Sequence, residues 1–318
     1  MTPMEKLKAL KAQQLAAKPA VEPVTVTATV SQNNLPRSFG ADGFFNAEQA
    51  RVRRFMPGLK RPGLMIGTDG ESNTGKTEFA ISCPGPGIVL CVDRGFDGML
   101  DNPHPPASRR SDFAYKAITP PLATQAVQNE YLLHWQAFYA DFKKALANPD
   151  VRTIVIDGDS DTWELQRLAE FGRLTQIPSI MYTNVNAARR AMIARAWDSG
   201  KTIISTNKIK AEYAVKRDDE GNPVLKDGKE VREKTGDMVR QGFDDQDYLW
   251  QIQLRHLYQP PRINKVTGAE VPQQWGIRIM KCKPRPELAG SELWGKEACF
   301  AGLVQLVYED TPLEAWGL

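Results

Sequence analysis

The fold class of this chain is decided by one stretch, Gly70-Glu71-Ser72-Asn73-Thr74-Gly75-Lys76-Thr77. It matches the pattern G-x-x-x-x-G-K-[ST], in which backbone N–H groups of a glycine-containing loop surround the phosphates of a nucleotide. The apolar residues 64–66 before it predict a short strand, and the residues from about Gly75 onward predict a helix. The motif needs this order of strand, loop and helix, so its surroundings favour a phosphate-binding loop.

Side chains of the motif and of a later strand are expected to hold ATP and Mg²⁺. Lys76 would reach the β- and γ-phosphates, and the Thr77 hydroxyl would bind the magnesium ion. A second magnesium ligand is expected where a buried parallel strand ends, and Asp157 follows four apolar or β-branched residues in TIVID. The alternative is that Asp157 only caps the helix that follows.

Apolar runs and helical periodicity alternate along the chain after the motif. Runs typical of strands buried on both faces occupy residues 87–93, 152–161 and 201–206. Helices are predicted over residues 129–147, 162–171, 187–197 and 300–308. This alternation predicts an α/β fold with a mostly parallel central sheet flanked by helices.

The later part of the chain departs from this alternation. Strands are predicted over residues 248–258 and 276–282 with no helix between them, so they should be antiparallel neighbours at a sheet edge. Residues 208–240 carry nine basic and eight acidic side chains between turn signals, which predicts an exposed charged hairpin or loop. Residues 101–125 are rich in proline, serine and arginine and predict a loop.

The N-terminal residues differ in composition from the rest. Residues 1–50 include a proline- and threonine-rich stretch and are predicted to form a flexible arm and linker, which leaves residues 51–318 as one domain. Up to residue 61 the chain holds ten Lys or Arg against four acidic residues, although its formal net charge is +3. Such a basic arm suits an anionic partner such as nucleic acid, and a solvated tail is the alternative.

Composition argues against several other classes of protein. The four cysteines form no C-x-x-C pair and only three histidines occur, so a disulfide scaffold, a zinc site and histidine-based catalysis are not expected. No apolar run approaches the roughly 20 residues of a membrane span, and the first residues lack the apolar region of a secretory signal. A cytoplasmic protein without a membrane partner is therefore expected.

These features together carry a resemblance to a known family. The phosphate loop, the buried strands, the charged loop and the late segments FDDQDYLWQIQLR (243–255) and WGIRIMKCKPRP (275–286) resemble the RecA-like P-loop ATPase core over about residues 60–308. The order is most similar to compact bacteriophage recombination ATPases that work with single-strand annealing and binding proteins. The resemblance implies Mg²⁺-dependent ATP hydrolysis on single-stranded DNA. It also implies a homo-oligomer, a ring or a filament, and a phage single-strand-binding or annealing protein as partner.

The catalytic residues of the family are carried over position by position. Its strand after the loop helix ends in a pattern like Asp-x-Glu, whose glutamate activates the attacking water; here the pattern begins at Asp93 and Gly95 takes the glutamate position. Efficient hydrolysis then needs Asp93, Asp97 or Asp159 as a substitute. The family's polar γ-phosphate reporter matches Asn207, whose amide could hydrogen-bond that phosphate and signal to the next loop. The alternative is that Asn207 merely ends a strand.

DNA contacts are expected from the loop after Asn207, where the family presents its DNA-binding loops. Lys208, Lys210 and Lys216 would meet the DNA backbone, and Tyr213 could stack on a base. A solvated hairpin is the alternative, because acidic residues are interleaved with the basic ones. A later basic cluster stands where RecA-like neighbours contact nucleotide across a subunit interface. Its members are Lys281, Lys283 and Arg285.

One further motif concerns assembly. Residues 44–47 match F-x-x-A and resemble the oligomerisation tether of eukaryotic and archaeal recombinases, but residues 142–145 fit the same pattern.

Because of Gly95, a nucleotide-gated interaction module with little turnover is the second functional hypothesis. A P-loop kinase is the third hypothesis. It is disfavoured because the helical lid with several arginines expected over the phosphates is not evident, unless Arg189, Arg190 and Arg195 supply it.

Overall fold

The computed structural model describes residues 63–92, 95–96, 99, 112–117, 128–173, 177–263 and 268–318. All of these residues belong to the unit Gly58–Leu318. The predicted arm over residues 1–50, with its F-x-x-A pattern, lies outside the described residues.

Within the described ranges, an eight-stranded sheet forms the centre of the fold. Six strands run parallel, in the spatial order β10 (Ile252–Gln259), β1 (Met65–Asp69), β5 (Thr202–Asn207), β4 (Thr153–Asp157), β2 (Gly87–Cys91) and β3 (Phe113–Ala117). Beyond β10, the strands β13 (Gln274–Cys282) and β14 (Glu292–Trp294) are antiparallel. The predictions of a mostly parallel sheet and of an antiparallel edge are both confirmed.

Helices cover both faces of the sheet. Those in the described part of the chain are α1 (Lys76–Ala80), α2 (Gln128–Ala147), α3 (Asp159–Phe171), α4 (Tyr182–Asp198), α5 (Gln246–Leu249) and α6 (Phe300–Val307). Consecutive strand residues face opposite sides. Ile66 therefore belongs to a buried cluster with α1 and α6, and Met65 to one with α2, α3 and α4. Burial on both faces explains why the central strands are continuous apolar runs.

The charged segment after β5 forms the predicted hairpin. β6 (Ile209–Val215) pairs antiparallel with β9 (Arg232–Arg240), and β7 (Leu225–Lys226) pairs with β8 (Lys229–Glu230) between them. Most of its side chains are exposed. Smaller elements complete the description: the strand pair β11 (Arg262–Ile263) and β12 (Glu270–Val271), and 3₁₀ turns at Ser179–Met181, Pro286–Leu288, Gly295–Glu297 and Leu313–Trp316.

Strand β3 corrects the prediction of a loop over residues 101–125. Residues 113–117 pair in parallel with β2, and Phe113 lies in the hydrophobic core at 7% exposure. Phe113 and Tyr115 have the two-residue period of a strand, but the run is short and its surroundings are rich in proline, so turn signals dominate the sequence pattern.

Candidate functional site

A cavity of about 930 Å³ opens at the carboxyl ends of the parallel strands, where ligands bind in sheets of this type. It is lined by residues 70–75 after β1, by Asp157 at the end of β4 and by Asn207 at the end of β5. The fold thus brings together the predicted phosphate loop, magnesium ligand and polar reporter, which are far apart in the sequence.

The loop 70–75 encloses the amine of Lys76. Lys76 Nζ donates to the carbonyl oxygen of Gly70 at 3.0 Å and also to that of Glu71. Gly75 precedes α1 with a φ of 89°, a left-handed conformation that would strain any residue with a Cβ. A Cβ at Gly70 would lie 2.8 Å from Thr74 Oγ1, which is too close. Both glycines are therefore needed for the curl of the loop.

Thr77 and Asp157 meet beside this loop. The Thr77 hydroxyl lies 3.2 Å from Asp157 Oδ1 and 3.3 Å from Oδ2. Asp157 Oδ1 also accepts from Thr206 Oγ1 at 2.6 Å, and that hydroxyl accepts from Gly158 N at 2.9 Å. Sequence reasoning missed Thr206, although the polar end of the buried run TIISTN was a signal. Helix α3 begins after Gly158 without a side-chain cap, so Asp157 is not the cap of this helix.

The pair of Thr77 and Asp157 fits a magnesium ion by the chemistry of its donors. Mg²⁺ prefers oxygen ligands, and proteins usually supply only one or two of them besides phosphate and water. One hydroxyl and one carboxylate are present here within 3.3 Å of each other. In the described part of the chain, no three His, Cys, Asp or Glu side chains cluster as metal ligands. A magnesium ion at this pair would complete its shell with phosphate and water oxygens.

Hydrogen bonds from its Nδ2 group fix the orientation of the Asn207 side-chain amide. Its Nδ2 lies 2.9 Å from Ser205 Oγ and 3.4 Å from the carbonyl oxygen of Thr68. Ser205 gives its own proton to Asp159 Oδ2 at 2.6 Å, so it can only accept from Asn207. Oδ1 is buried and has no hydrogen-bond partner among the residues that the structure describes. A phosphate oxygen is an acceptor, so it can bind only the Nδ2 group, which is already engaged within the protein. The γ-phosphate contact expected from the sequence therefore requires the amide to rotate.

Asp159 lies in a buried cluster beside Asn207. It is 1% exposed and forms an ion pair through Oδ1 with Arg189, which is also 1% exposed. Oδ2 accepts from Ser205 Oγ and from Gln246 Nε2. Both oxygens are engaged by residues that do not line the cavity, so Asp159 is not placed to act as the substitute for glutamate that the sequence suggested. Sequence reasoning missed Gln246 and the pairing of Arg189, since the partners come from three separate segments.

The position at which the resemblance expects a glutamate borders the cavity. Gly95 lines it, whereas Asp93 and Asp97 lie outside the described residues. Among the described residues, the carboxylates that line the cavity are Glu71, Glu78 and Asp157. A glycine at this place supplies no general base for water.

A buried histidine lies behind the loop. His256 on β10 is 5% exposed, and its ring contacts that of Phe79 on α1 with centroids 5.7 Å apart. Burial, aided by the positive charge of Lys76, lowers the pKa of His256 to about 3. The ring is therefore neutral at pH 7 and adds no second positive charge behind the loop.

The base of the hairpin is hydrogen-bonded to α3, the helix that follows Asp157. Ser160 Oγ accepts from Lys208 N at 3.0 Å and donates to the carbonyl oxygen of Gln241 at 2.7 Å. Lys208 Nζ forms an ion pair with Asp161 at 2.7 Å. Both ends of the hairpin are thus fixed to α3 beside the cavity, and the charge of Lys208 is engaged within the chain.

One face of the hairpin combines an aromatic ring with two exposed cations. Alternation along β6 and its register with β9 put Tyr213, Arg232 and Lys234 on this face, with Tyr213 directly opposite Lys234. Tyr213 is 52% exposed, and neither cation has an ion-pair partner among the described residues. We call these three residues the aromatic-basic face. It continues toward Met238, which lines the cavity.

The opposite face of the hairpin carries both basic and acidic side chains. It carries the other two predicted DNA contacts, Lys210 and Lys216, by the same alternation. Lys216 forms an ion pair with Glu233 at 3.4 Å. Among the four predicted contacts, the structure places Tyr213 alone on the aromatic-basic face.

The later basic cluster is engaged within the chain. Lys281 Nζ and Lys283 Nζ donate to the carbonyl oxygens of Asp247 and Tyr248 in α5, the second at 2.8 Å. Arg285 forms ion pairs with Glu287 and Glu309. These contacts stabilise α5 and the turn after β13.

The arginines considered for a kinase lid do not line the cavity. Their partners are Asp159 for Arg189, Asp245 for Arg190 and the hydroxyl of Tyr139 for Arg195. The sequence hypothesis of a lid formed by these residues is therefore not supported by their positions.

Fold and site together define an α/β protein with a cavity at the carboxyl ends of a mostly parallel sheet. No protein-family model matches the chain, and no curated protein matches its sequence. Within the residues that the structure describes, no helix is both long and apolar enough to cross a membrane.

Proposed function

We propose that this protein is a RecA-like P-loop ATPase that binds ATP and Mg²⁺ and acts on single-stranded DNA in phage recombination or repair. Residues 70–77 hold the phosphates, with Lys76 as the cation, and Thr77 and Asp157 hold the magnesium ion. A homo-oligomer and a phage single-strand-binding or annealing protein are the proposed partners, in the cytoplasm of a bacterial host.

The contact between Thr77 and Asp157 carries the nucleotide part of the proposal. These oxygens lie 3.2 Å apart although 80 residues separate them in the chain. A hydroxyl after a lysine-containing loop and a carboxylate that ends a buried strand are the two protein ligands that a nucleotide-bound magnesium ion needs. The nearby curl of the loop around Lys76 Nζ supports a phosphate site at the same place.

The strand order supports a role for Asn207 at the proposed nucleotide site. β5 lies between β1, which leads into the loop, and β4, which ends at Asp157. The intervening strand is what places Asn207 between the loop and Asp157.

The aromatic-basic face carries the DNA part of the proposal. Proteins that bind single strands combine cations for the backbone with aromatic rings on which bases stack. Tyr213, Arg232 and Lys234 provide this combination on a hairpin whose base is fixed beside the nucleotide cavity. Rotation of the Asn207 amide toward a phosphate would break its hydrogen bond to Ser205. Ser205 donates to Asp159, which is the first residue of α3, and α3 holds the base of the hairpin.

Hydrolysis of ATP measured with and without single-stranded DNA tests the proposed function. We expect Mg²⁺-dependent hydrolysis that DNA stimulates. Tight nucleotide binding without turnover would instead favour the second candidate, a nucleotide-gated interaction module. That candidate is favoured by one observation, the absence of a side chain at Gly95 on the cavity wall.

Asp157→Asn should remove the magnesium dependence of ATP binding. Asn keeps the shape of the side chain but loses the charge that attracts the ion, so ATP affinity with Mg²⁺ should fall about tenfold, toward the value without Mg²⁺. Isothermal titration with and without Mg²⁺ measures this effect. The matched control is Glu164→Gln, a carboxylate on α3 paired at the surface with Arg167. An unchanged magnesium dependence in Asp157→Asn would assign this residue a structural role only.

The double change Arg232→Ala/Lys234→Ala should weaken single-strand binding through lost phosphate contacts. Each contact contributes about 0.7 to the slope of log K against log salt, so the slope should become shallower by about 1.4. The control is Lys216→Ala, which removes a cation already paired with Glu233. Equal slopes for wild type and double variant would remove the DNA site from the aromatic-basic face, and truncation of residues 1–45 would then test the basic arm.

A further inference from the structure

An exposed aromatic ring lies directly against the loop 70–75. Trp275 on β13 donates its indole N–H to the carbonyl oxygen of Asn73 at 3.2 Å. Its Cδ1 lies 3.6 Å from the position that a Cβ at Gly75 would take. The ring is therefore in contact with the backbone of the loop, although 202 residues separate Trp275 from Asn73.

The ring of Trp275 is held in place but not buried. Tyr258 lies opposite it across β10 and β13, with ring centroids 5.8 Å apart. Trp275 is nevertheless 40% exposed, and Tyr258 is 44% exposed. Trp275 also lines the same cavity as Lys76 and Thr77. A large aromatic surface is thus preorganised at the edge of the phosphate site, and it remains open to a ligand.

We propose that Trp275 is the stacking platform for the base of the bound nucleotide, which makes purine nucleoside triphosphates the favoured ligand class. The inference rests on the proposed nucleotide function of the loop. An indole offers a wide π face that stacks on flat heterocycles, and a purine covers more of that face than a pyrimidine does. Stacking is tolerant of base identity, so ATP and GTP should both bind more tightly than CTP or UTP.

Comparison of ATP with inorganic tripolyphosphate, each in the presence of Mg²⁺, tests this role by titration calorimetry. Tripolyphosphate offers the phosphates without a base. Trp275→Ala should weaken ATP binding about tenfold, the effect of losing one stacked base, and leave tripolyphosphate binding unchanged. Trp275→Phe, which keeps a ring but lacks the N–H donor, should recover most of the affinity for ATP. Tyr248→Ala, a change at an aromatic residue of α5 that is 78% exposed, is the matched control.

The outcomes separate this inference from the proposed function. An equal loss of ATP and tripolyphosphate affinity in Trp275→Ala would show that the ring only supports the loop, and would overturn the inference. Unchanged affinity for both ligands would overturn it as well, as would a purine and a pyrimidine triphosphate that bind equally. If the wild-type protein binds neither ATP nor tripolyphosphate, the proposed nucleotide site fails, and the stacking platform fails with it.

Discussion

Replacement of Lys76 by Ala should weaken the binding of ATP about a hundredfold while the protein stays folded. A hundredfold loss corresponds to about 2.7 kcal/mol, within the range of a hydrogen bond to a charged group. In the structure, the ammonium is held by the carbonyl oxygens of Gly70 and Glu71. Phosphate oxygens would replace neutral acceptors with charged ones, so the amine gains most when nucleotide is bound.

Isothermal titration of ATP in the presence of Mg²⁺ measures the loss in Lys76→Ala, and a thermal melt shows that the fold is kept. Lys144→Ala is the matched control, because this lysine is 80% exposed on α2 with only a weak ion pair to Asp141. Similar ATP affinities for Lys76→Ala and Lys144→Ala would contradict the assignment of residues 70–77 as a phosphate loop.

Replacement of Arg189 by Met should lower the free energy of unfolding by about 3–5 kcal/mol. The change leaves Asp159 as a buried carboxylate without its cation, and breaking one partner of a buried pair costs about this much. Among the described residues, Asp159 would keep the two hydrogen bonds from Ser205 and Gln246. The second change Asp159→Asn, made together with Arg189→Met, should recover part of the loss because it removes the stranded charge.

Urea denaturation measures the free energy of unfolding of these variants. The neighbouring Arg190 supplies a close control, since its ion pair with Asp245 is half exposed and exposed pairs contribute less than about 1 kcal/mol. Losses of the same size in Arg189→Met and Arg190→Met would contradict the argument from burial. A double variant less stable than Arg189→Met would contradict the argument from the stranded charge.

The local pattern of the sequence was sufficient for much of the fold. Runs such as TIVID and TIISTN predicted buried strands because both faces of each strand are covered by helices, which leaves no room for alternating polar residues. The sequence also predicted a loop at residues 70–77, because the glycines and the lysine that define its motif lie within eight consecutive positions. Phe113 and Tyr115 of β3 were overlooked because five residues carry too weak a period beside strong turn signals.

The contacts that define the site depend on register between distant segments, and only the tertiary structure decides them. Asp159 and Asp157 are two residues apart, but Asp157 lines the cavity while Asp159 turns into the protein toward Arg189 on another helix. Lys216 is paired within the hairpin because Glu233, the cross-strand neighbour of Ala214, lies diagonally opposite it on the same face. Trp275 reaches Asn73 because β13 joins the sheet through β10, next to β1. Which of several similar side chains meets the cavity is thus set by strand order and by the face on which each residue falls, and a one-residue shift in register would reverse that face.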